Sequence, residues 1–446
     1  MPLTGIQIYK LLPKTNCKEC GLPTCLAFAM KLAAKQMELS ACTHVSAEAK
    51  SQLAEAAEPP IRLVTLKADG REVKAGNETV LFRHEKTFYN RPGLFIRVCD
   101  DAPSERIEAE VSTADPYTVR YVGIDLSLDG FAVQSVTGVA SKFADAVSAV
   151  RAASHRPLIL ISRDPAIMAA GLRAVDGESP LIYCADANNW KAMADLAKQH
   201  SAPLAVCADT LDGLADLTTR LKAAGVEDLV LDPATRRLGA SLARQTQIRR
   251  LALQKNFRPL GYPIITFAGD TDNQSEEPML AAQAIAKYAG FVVMNHFAPE
   301  AIYPLLVLRE NIYTDPQKPI QVLPGLYEIN NPKPSDPVLV TTNFSITYFS
   351  VANEVEGAGL PAWLLIVDAE GMSVLTGWAA GKFDADRIAK AVKETGVANK
   401  VSRKRIVLPG HVAVLSGELE EELPGWEIRV GPREAVDLPA FMKQVL

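Results

Sequence analysis

The sequence lacks several features that would fix its class at once. It has no run of roughly 18 apolar residues that could cross a bilayer, so a membrane span is not expected. The opening MPLTGIQIYKLLPK lacks the basic start, apolar middle and small-residue cleavage site of a secretory signal, which points to a cytoplasmic chain. There is no excess of basic residues. The 47 Lys and Arg face 52 Asp and Glu, a net charge of −5, and this argues against nucleic acid as a partner. The cysteines number seven, and an odd count without a secretion signal does not suggest a disulfide framework. None is needed, because 446 residues can bury several cores.

Four of the seven cysteines fall within 26 residues, as Cys17, Cys20, Cys25 and Cys42, spaced C-x2-C-x4-C-x16-C. Four thiolates can close a tetrahedral zinc site or hold an iron–sulfur cluster. Structural zinc usually uses two short knuckles set far apart. Here three ligands crowd one loop, and the fourth arrives from beyond a helix expected over Thr24–Leu39. That arrangement favours a 4Fe–4S cluster over zinc, and over inert or redox-switch thiols. Gly21 frees the loop backbone and Pro23 stiffens it. Cys25 on the first helical turn benefits from the positive end of the helix. His44 is read as a solvated loop residue rather than a ligand. Cys99, Cys184 and Cys207 each end an apolar run and read as small buried hydrophobes.

Three blocks follow. Residues 1–58 form the cysteine module and end in a linker, EAAEPP at 55–60. Residues 59–325 alternate short apolar runs with Ala- and Leu-rich helical stretches. Eight runs are candidate strands: 79–83, 121–125, 157–162, 180–184, 203–207, 228–232, 263–267 and 291–295. Strands buried on both faces and separated by helices indicate a parallel sheet. The count and size favour a (β/α)8 TIM barrel, although an open doubly wound sheet gives the same local pattern. Residues 326–446 repeat the alternation and suggest a Rossmann- or flavodoxin-like α/β domain. There, 370–383 is read as a loop with a possible extra strand.

In such a sheet, ligands sit beyond the carboxyl ends of the strands. The candidate ends in the last block are Thr341, Thr342 and Asn343; Asp368, Ala369, Glu370 and Gly371; Pro409, Gly410 and His411; and Gly431, Pro432 and Arg433. The stretch Gly371, Met372, Ser373, Val374, Leu375, Thr376, Gly377 and Trp378 is apolar, with interleaved hydroxyls and a glycine near each end. With no glycine-rich phosphate motif in this block, it suits a broad apolar ligand with polar edges, such as a tetrapyrrole-like macrocycle, better than a nucleotide. Ordinary β–α loops closing a core would look the same. In the middle block Asp125, Asp232, Asp270, Asn295 and His296 fall at or after expected strand ends. No H-E-x-x-H, nucleophile elbow or paired-carboxylate motif accompanies them, so the barrel reads as a scaffold.

The N-terminal MPLTGIQIYKLLPKTNCKECGLPTCLAFAMKLA with Cys42, and the C-terminal VTTNFSITYFSVANEVEGAG…WLLIVDAEGMSVLTGWAAGKF, resemble the large (gamma) subunits of corrinoid/iron–sulfur proteins of the reductive acetyl-CoA pathway. The resemblance extends over essentially the whole chain. It implies a methyl carrier in which cob(I)amide takes a methyl group from methyltetrahydrofolate through a separate methyltransferase. The methyl–Co(III) form then passes the group to acetyl-CoA synthase, the partner of CO dehydrogenase. The implied 4Fe–4S cluster, on Cys17, Cys20, Cys25 and Cys42, returns cob(II)amide to cob(I) with an electron from a low-potential donor. A small subunit completes a heterodimer. No D-x-H-x-x-G motif is present, which fits a base-off corrinoid and leaves His411 unassigned. Thr342, Asn343, Ile346, Gly410 and Arg433 become candidate edge and tail contacts, with 371–378 beneath the ring. The alternatives are an iron–sulfur electron-transfer protein without corrinoid, a barrel methyltransferase acting alone, and a zinc-stabilised interaction protein.

Overall fold

The computed structural model describes residues 5–33, 36–46, 48–50, 53, 59–271, 275–315 and 320–445. Residues 55–58 of the expected linker lie outside that set. The chain forms two compact units, Met1–Thr118 with Ser127–Tyr313, and Val119–Leu126 with Thr314–Leu446. Among the described residues no helix is long and apolar enough to cross a membrane.

In the first unit an antiparallel hairpin, β1 (Val64–Ala68) and β2 (Arg71–Ala75), precedes the first barrel strand, β3 (Gly93–Cys99). Next in the chain is a second hairpin, β4 (Thr118–Tyr121) and β5 (Ile124–Ser127), which apart from its end residues belongs to the second unit. The barrel continues with β6 (Gly130–Gln134), β7 (Leu158–Ile161), β8 (Leu181–Ala185), β9 (Leu204–Cys207), β10 (Leu229–Asp232), β11 (Ile265–Phe267) and β12 (Phe291–Met294). The eight barrel strands run in the order β10-β9-β8-β7-β6-β3-β12-β11. A parallel bridge between Leu231 and Ile264 joins the two ends, and helices alternate with the strands. This is the expected (β/α)8 barrel. Its interior holds Phe95, Ile159, Leu181, Val230, Phe291 and Val293, and is sealed by Val64, Leu66 and Val73 of the first hairpin. Lys67 exchanges backbone hydrogen bonds with Ser179, just before β8, so the hairpin plugs the amino end and leaves the carboxyl end as the mouth.

Two of the eight expected strands are corrected. Residues 79–83 are not a strand: the Leu81 and Phe82 amides both donate to the Glu85 carboxylate at 3.1 Å, which replaces ladder bonds with a local turn. Residues 121–125 break into the β4–β5 hairpin, because Val122 and Gly123 are both left-handed (φ 49° and 86°). Their places in the barrel are taken by β3 and β6. Gly130 opens β6 where a Cβ would lie 2.1 Å from the Pro157 carbonyl oxygen.

The second unit holds β13 (Gly325–Ile329), β14 (Val338–Thr342), β15 (Ala362–Val367), β16 (Arg405–Leu408) and β17 (Glu427–Val430), in the order β13-β15-β14-β16-β17. Only the edge strand β13 is antiparallel. On one face Val338, Val340, Leu365 and Ile406 pack under the helices Ala385–Glu394 and Ser416–Glu422. On the other, Leu339, Leu364 and Val407 pack under Ser345–Gly357 and Leu438–Val445, joined by Val122 of the β4–β5 hairpin. This is the expected doubly wound α/β sheet. The stretch 370–383 corrects the expected loop or extra strand: Glu370 and Gly371 are left-handed (φ 55° and 74°), and a short helix, Val374–Ala379, follows.

Candidate functional site

The clustered cysteines sit among the helices Gly5–Leu11 and Cys25–Ala33 and the turn Leu39–Ala41. Residues 34 and 35 of the expected helix lie outside the described set. Thr24 caps the helix, its hydroxyl accepting from the Ala27 amide at 3.1 Å. Cys25 is therefore the first helical residue, and Cys42 follows the turn. Cys25 and Cys42 are buried, Cys20 is half-buried and Cys17 exposed. Left-handed Asn16, Lys18 and Gly21 wrap the loop. The Asn16 amide donates to Cys25 Sγ at 3.4 Å, and its side-chain oxygen accepts from the Cys25 amide at 2.8 Å. The buried thiols share an apolar cluster with Ile8, Leu12 and Phe28. Four thiols, two of them dry and one receiving an N–H donor, are a donor set suited to an iron–sulfur cluster. His44 lies beside this loop: ligand atoms of His44, Glu19 and Cys17 fall within 4.8 Å of one another. It lies 3.0 Å from Glu19, which also accepts from the Thr43 hydroxyl at 2.6 Å. The Thr43 hydrogen bond, then His44, holds the Glu19 carboxyl below its usual range.

In the second unit a cavity of about 560 Å³ opens at the carboxyl ends of β14 and β16. The chain leaves β14 for β15 on one side and β16 on the other, so this is the topological switch point. Of the expected contacts, Ile346, Ser373, Val374, Leu375, Gly431, Pro432 and Arg433 line the cavity. Thr342, Asn343, Glu370, Gly371, Met372, Thr376, Gly377, Trp378 and Gly410 do not. Several of these shape its walls instead. Asn343, 2% exposed, accepts from the Ala369 and Gly371 amides at 2.9 Å and donates to Asp368 at 3.1 Å. Glu370 pairs with Lys382 at 2.6 Å. The Gly377 amide donates to the Ser373 carbonyl at 2.7 Å, and its own carbonyl receives the Lys382 amide at 2.7 Å. Gly410 lets two loops meet, since a Cβ there would lie 2.6 Å from the Gly431 carbonyl oxygen.

Two features of the cavity suit a large, mostly apolar ligand with polar edges. Ile346 is 65% exposed and Leu375 46%, so the mouth has an uncovered apolar rim. Thr341, 1% exposed, lines the cavity with a buried hydroxyl that has no hydrogen-bond partner. A buried orphan hydroxyl costs free energy that a ligand would recover. Sequence reasoning put Thr341 at a strand end without listing it as a contact, and did not single out the polar stripe Thr347, Ser350 and Glu354. The signal was available: those positions repeat at helical spacing on the helix that follows β14.

At the barrel mouth, charges are paired with one another. Buried Asp232 accepts from the Tyr183 hydroxyl at 2.7 Å, the Ala234 amide at 2.8 Å and Arg236 at 2.8 Å. Asp270 joins Arg236 (3.0 Å) and Arg97 (2.7 Å). The Asn295 side chain donates to the Gly269 carbonyl, and His296 meets buried Glu277 at 2.9 Å. Asp125 lies on β5 and not at a barrel strand end.

The family model "CO dehydrogenase/acetyl-CoA synthase delta subunit" matches residues 63–442, and "Putative Fe-S cluster" matches residues 12–44. The corrinoid/iron-sulfur protein large subunit of Moorella thermoacetica is 45% identical over 443 residues, 99% of each chain. The acetyl-CoA decarbonylase/synthase complex subunit gamma of Archaeoglobus fulgidus is 35% identical, covering 98% of this chain and 97% of its own. The corresponding gamma subunit of Methanopyrus kandleri is also 35% identical, over 99% and 98%.

Proposed function

The chain belongs to the family of corrinoid/iron–sulfur protein large (gamma) subunits of the acetyl-CoA pathway, and from that premise we propose that it is a methyl carrier. Its labour divides among residues 1–58, 59–325 and 326–446: a cluster module, a scaffold barrel and a corrinoid domain. When bound, the corrinoid supplies a cobalt nucleophile that takes methyl from methyltetrahydrofolate and gives it to acetyl-CoA synthase, and the cluster supplies a one-electron reductant. Cys17, Cys20, Cys25 and Cys42 hold the cluster. Leu375 and Ile346 present apolar surface to the macrocycle, and Thr341 and the Thr347–Glu354 stripe offer polar contacts to its edge or tail. Asn343 fixes the turn from which the Val374–Ala379 helix starts. His411 lines the cavity and stands 3.8 Å from Glu434; because the sequence carries no D-x-H-x-x-G motif, we read the corrinoid as base-off and assign His411 no bond to cobalt. The partners are a small subunit, a separate methyltransferase, acetyl-CoA synthase/CO dehydrogenase and a low-potential electron donor, all met in the cytoplasm.

The observation that carries this reading is the switch-point cavity with its bare apolar rim and orphan Thr341 hydroxyl. The test is anaerobic purification with the small subunit, followed by iron and cobalt analysis and methyl transfer from methyltetrahydrofolate with and without the separate methyltransferase. About four irons and one cobalt per chain are expected, with transfer only when that enzyme is present. Iron without cobalt, after corrinoid has been offered, would leave an electron-transfer protein. Transfer without the second enzyme would make the barrel itself the methyltransferase.

A further inference from the structure

The loop that carries Cys17 also assembles a second kind of donor set. Asn16 and Lys18 are both left-handed (φ 50° and 68°), and the Gly21 amide donates to the Lys18 carbonyl at 2.9 Å, so the chain turns tightly around Cys17 and Glu19. Thr43 and His44, just past Cys42, close on this turn. The Thr43 hydroxyl donates to Glu19 Oε2 at 2.6 Å, and His44 Nε2 stands 3.0 Å from Glu19 Oε1. A sulfur, a carboxylate oxygen and a ring nitrogen, from Cys17, Glu19 and His44, thereby lie within 4.8 Å of one another. Among the described residues no other three Cys, His, Asp or Glu side chains converge to that limit, the remaining cluster cysteines included.

We propose that Cys17, Glu19 and His44 form a site for a single divalent transition-metal ion of the zinc type, with water as the fourth ligand. The distances suit one ion. Ligand atoms bonded at about 2.0–2.3 Å to a tetrahedral ion stand about 3.3–3.5 Å apart, and the His44–Glu19 pair is already at 3.0 Å. Thr43 holds one carboxylate oxygen and leaves the other facing the imidazole, the kind of outer hydrogen bond that orients a metal-binding carboxylate. Mixed sulfur, nitrogen and oxygen donors select zinc-type ions over magnesium and calcium, which take oxygen ligands. All three residues are exposed, so an ion enters from solvent without the fold opening. On binding, the Cys17 thiol gives its proton to water. Cys17 is also one of the four cysteines assigned to the cluster, so the single ion and the cluster exclude one another, and the site belongs to the cluster-free chain. Nothing in it depends on the corrinoid.

The competing use of the same thiols is a single ion on the four cysteines, and the two arrangements differ in His44, Glu19 and Cys25. The experiment titrates Co(II), a coloured stand-in for zinc, into the full chain freed of iron and corrinoid under anaerobic conditions. A thiolate-to-cobalt band and the visible bands of tetrahedral Co(II) are expected to saturate at about one Co(II) per chain. C17S should abolish the thiolate band. H44A and E19A should each weaken binding by about tenfold or more, while C25S should leave the affinity within about twofold. Iron–sulfur reconstitution of H44A, measured in parallel, should still give about four irons per chain, because the cluster cysteines are intact. Binding that survives H44A but is lost in C25S would put the metal on the cysteines and overturn the proposal. So would a Co(II) complex without a thiolate band. An H44A chain that takes up no iron would make His44 part of the cluster site, and that too would overturn it.

Discussion

Asn343→Ala is the most exacting perturbation of the proposed corrinoid domain. Asn343 touches no cavity wall but holds the turn that builds one. Its side-chain oxygen accepts from the amides of Ala369, which is fully buried, and Gly371, which is half-buried. Alanine leaves both without that acceptor. An amide that stays unsatisfied costs about 1–3 kcal/mol, and water can reach the Gly371 amide more readily than that of Ala369, so the loss should total about 2–4 kcal/mol. The turn has little reserve, because Glu370 sits at φ 55° without being glycine. Asn343→Asp keeps the acceptor but sets a second carboxylate where Nδ2 met Asp368 at 3.1 Å, so it should destabilise for a different reason. Urea unfolding gives the stability change. The cobalt-to-iron ratio after gel filtration gives the functional one, since the cluster cysteines lie in the other unit. A fall in cobalt with iron retained is expected for both variants. An Asn343→Ala protein that loses less than about 0.5 kcal/mol and keeps its full cobalt would refute the reasoning.

Thr341→Val should separate binding from stability. It removes a hydroxyl that has no partner, so the corrinoid-free protein should be as stable or up to about 1 kcal/mol more stable, while corrinoid binds more weakly, as a titration of the reconstituted protein would show. Leu375→Glu, on a side chain 46% exposed, should shift stability by no more than about 0.5 kcal/mol, yet lower cobalt occupancy several-fold by metal analysis. Cys25→Ser and Cys42→Ser should each reduce bound iron, whereas Cys99→Ser should leave it unchanged. Asp100 supplies a pH test. Burial pushes its carboxyl up, but hydrogen bonds from the Thr137 and Val136 amides and the Ser135 and Thr137 hydroxyls outweigh this and hold it below its usual value. A depressed carboxyl stabilises the fold above its unfolded pKa of about 3.9, and that stability is lost as pH falls through the lower folded value. The unfolding-midpoint gap between wild type and Asp100→Asn should therefore be constant near neutral pH and close below about pH 4.

What was legible in the sequence was whatever is written by local composition. Six barrel strands stood out because strands buried on both faces are apolar throughout, and the cysteine spacing declared a loop and a helix. The two misplaced strands show where that signal stops. Residues 79–83 are as apolar as a strand, but one carboxylate, Glu85, captures two of their amides, and only three-dimensional placement reveals it. β6 begins at a glycine whose missing side chain looks like a weakness in sequence, yet is the condition for the Pro157 carbonyl to pass. The candidate site divides the same way. Hydrophobic exposure at Leu375 could be guessed, because it lies in the short apolar stretch between Gly371 and Gly377; nothing local marked Ile346. The separation of Thr341 from Thr342 could not be guessed without the register, since adjacent residues on a strand face opposite sides of the sheet. Both hydroxyls are buried and unpartnered, but only Thr341 opens on the cavity. Asn343 follows the last strand residue and holds the turn through the Ala369 and Gly371 amides. A residue at the carboxyl end of β14 can thus serve the site by contact or by shaping its wall, and register decides which.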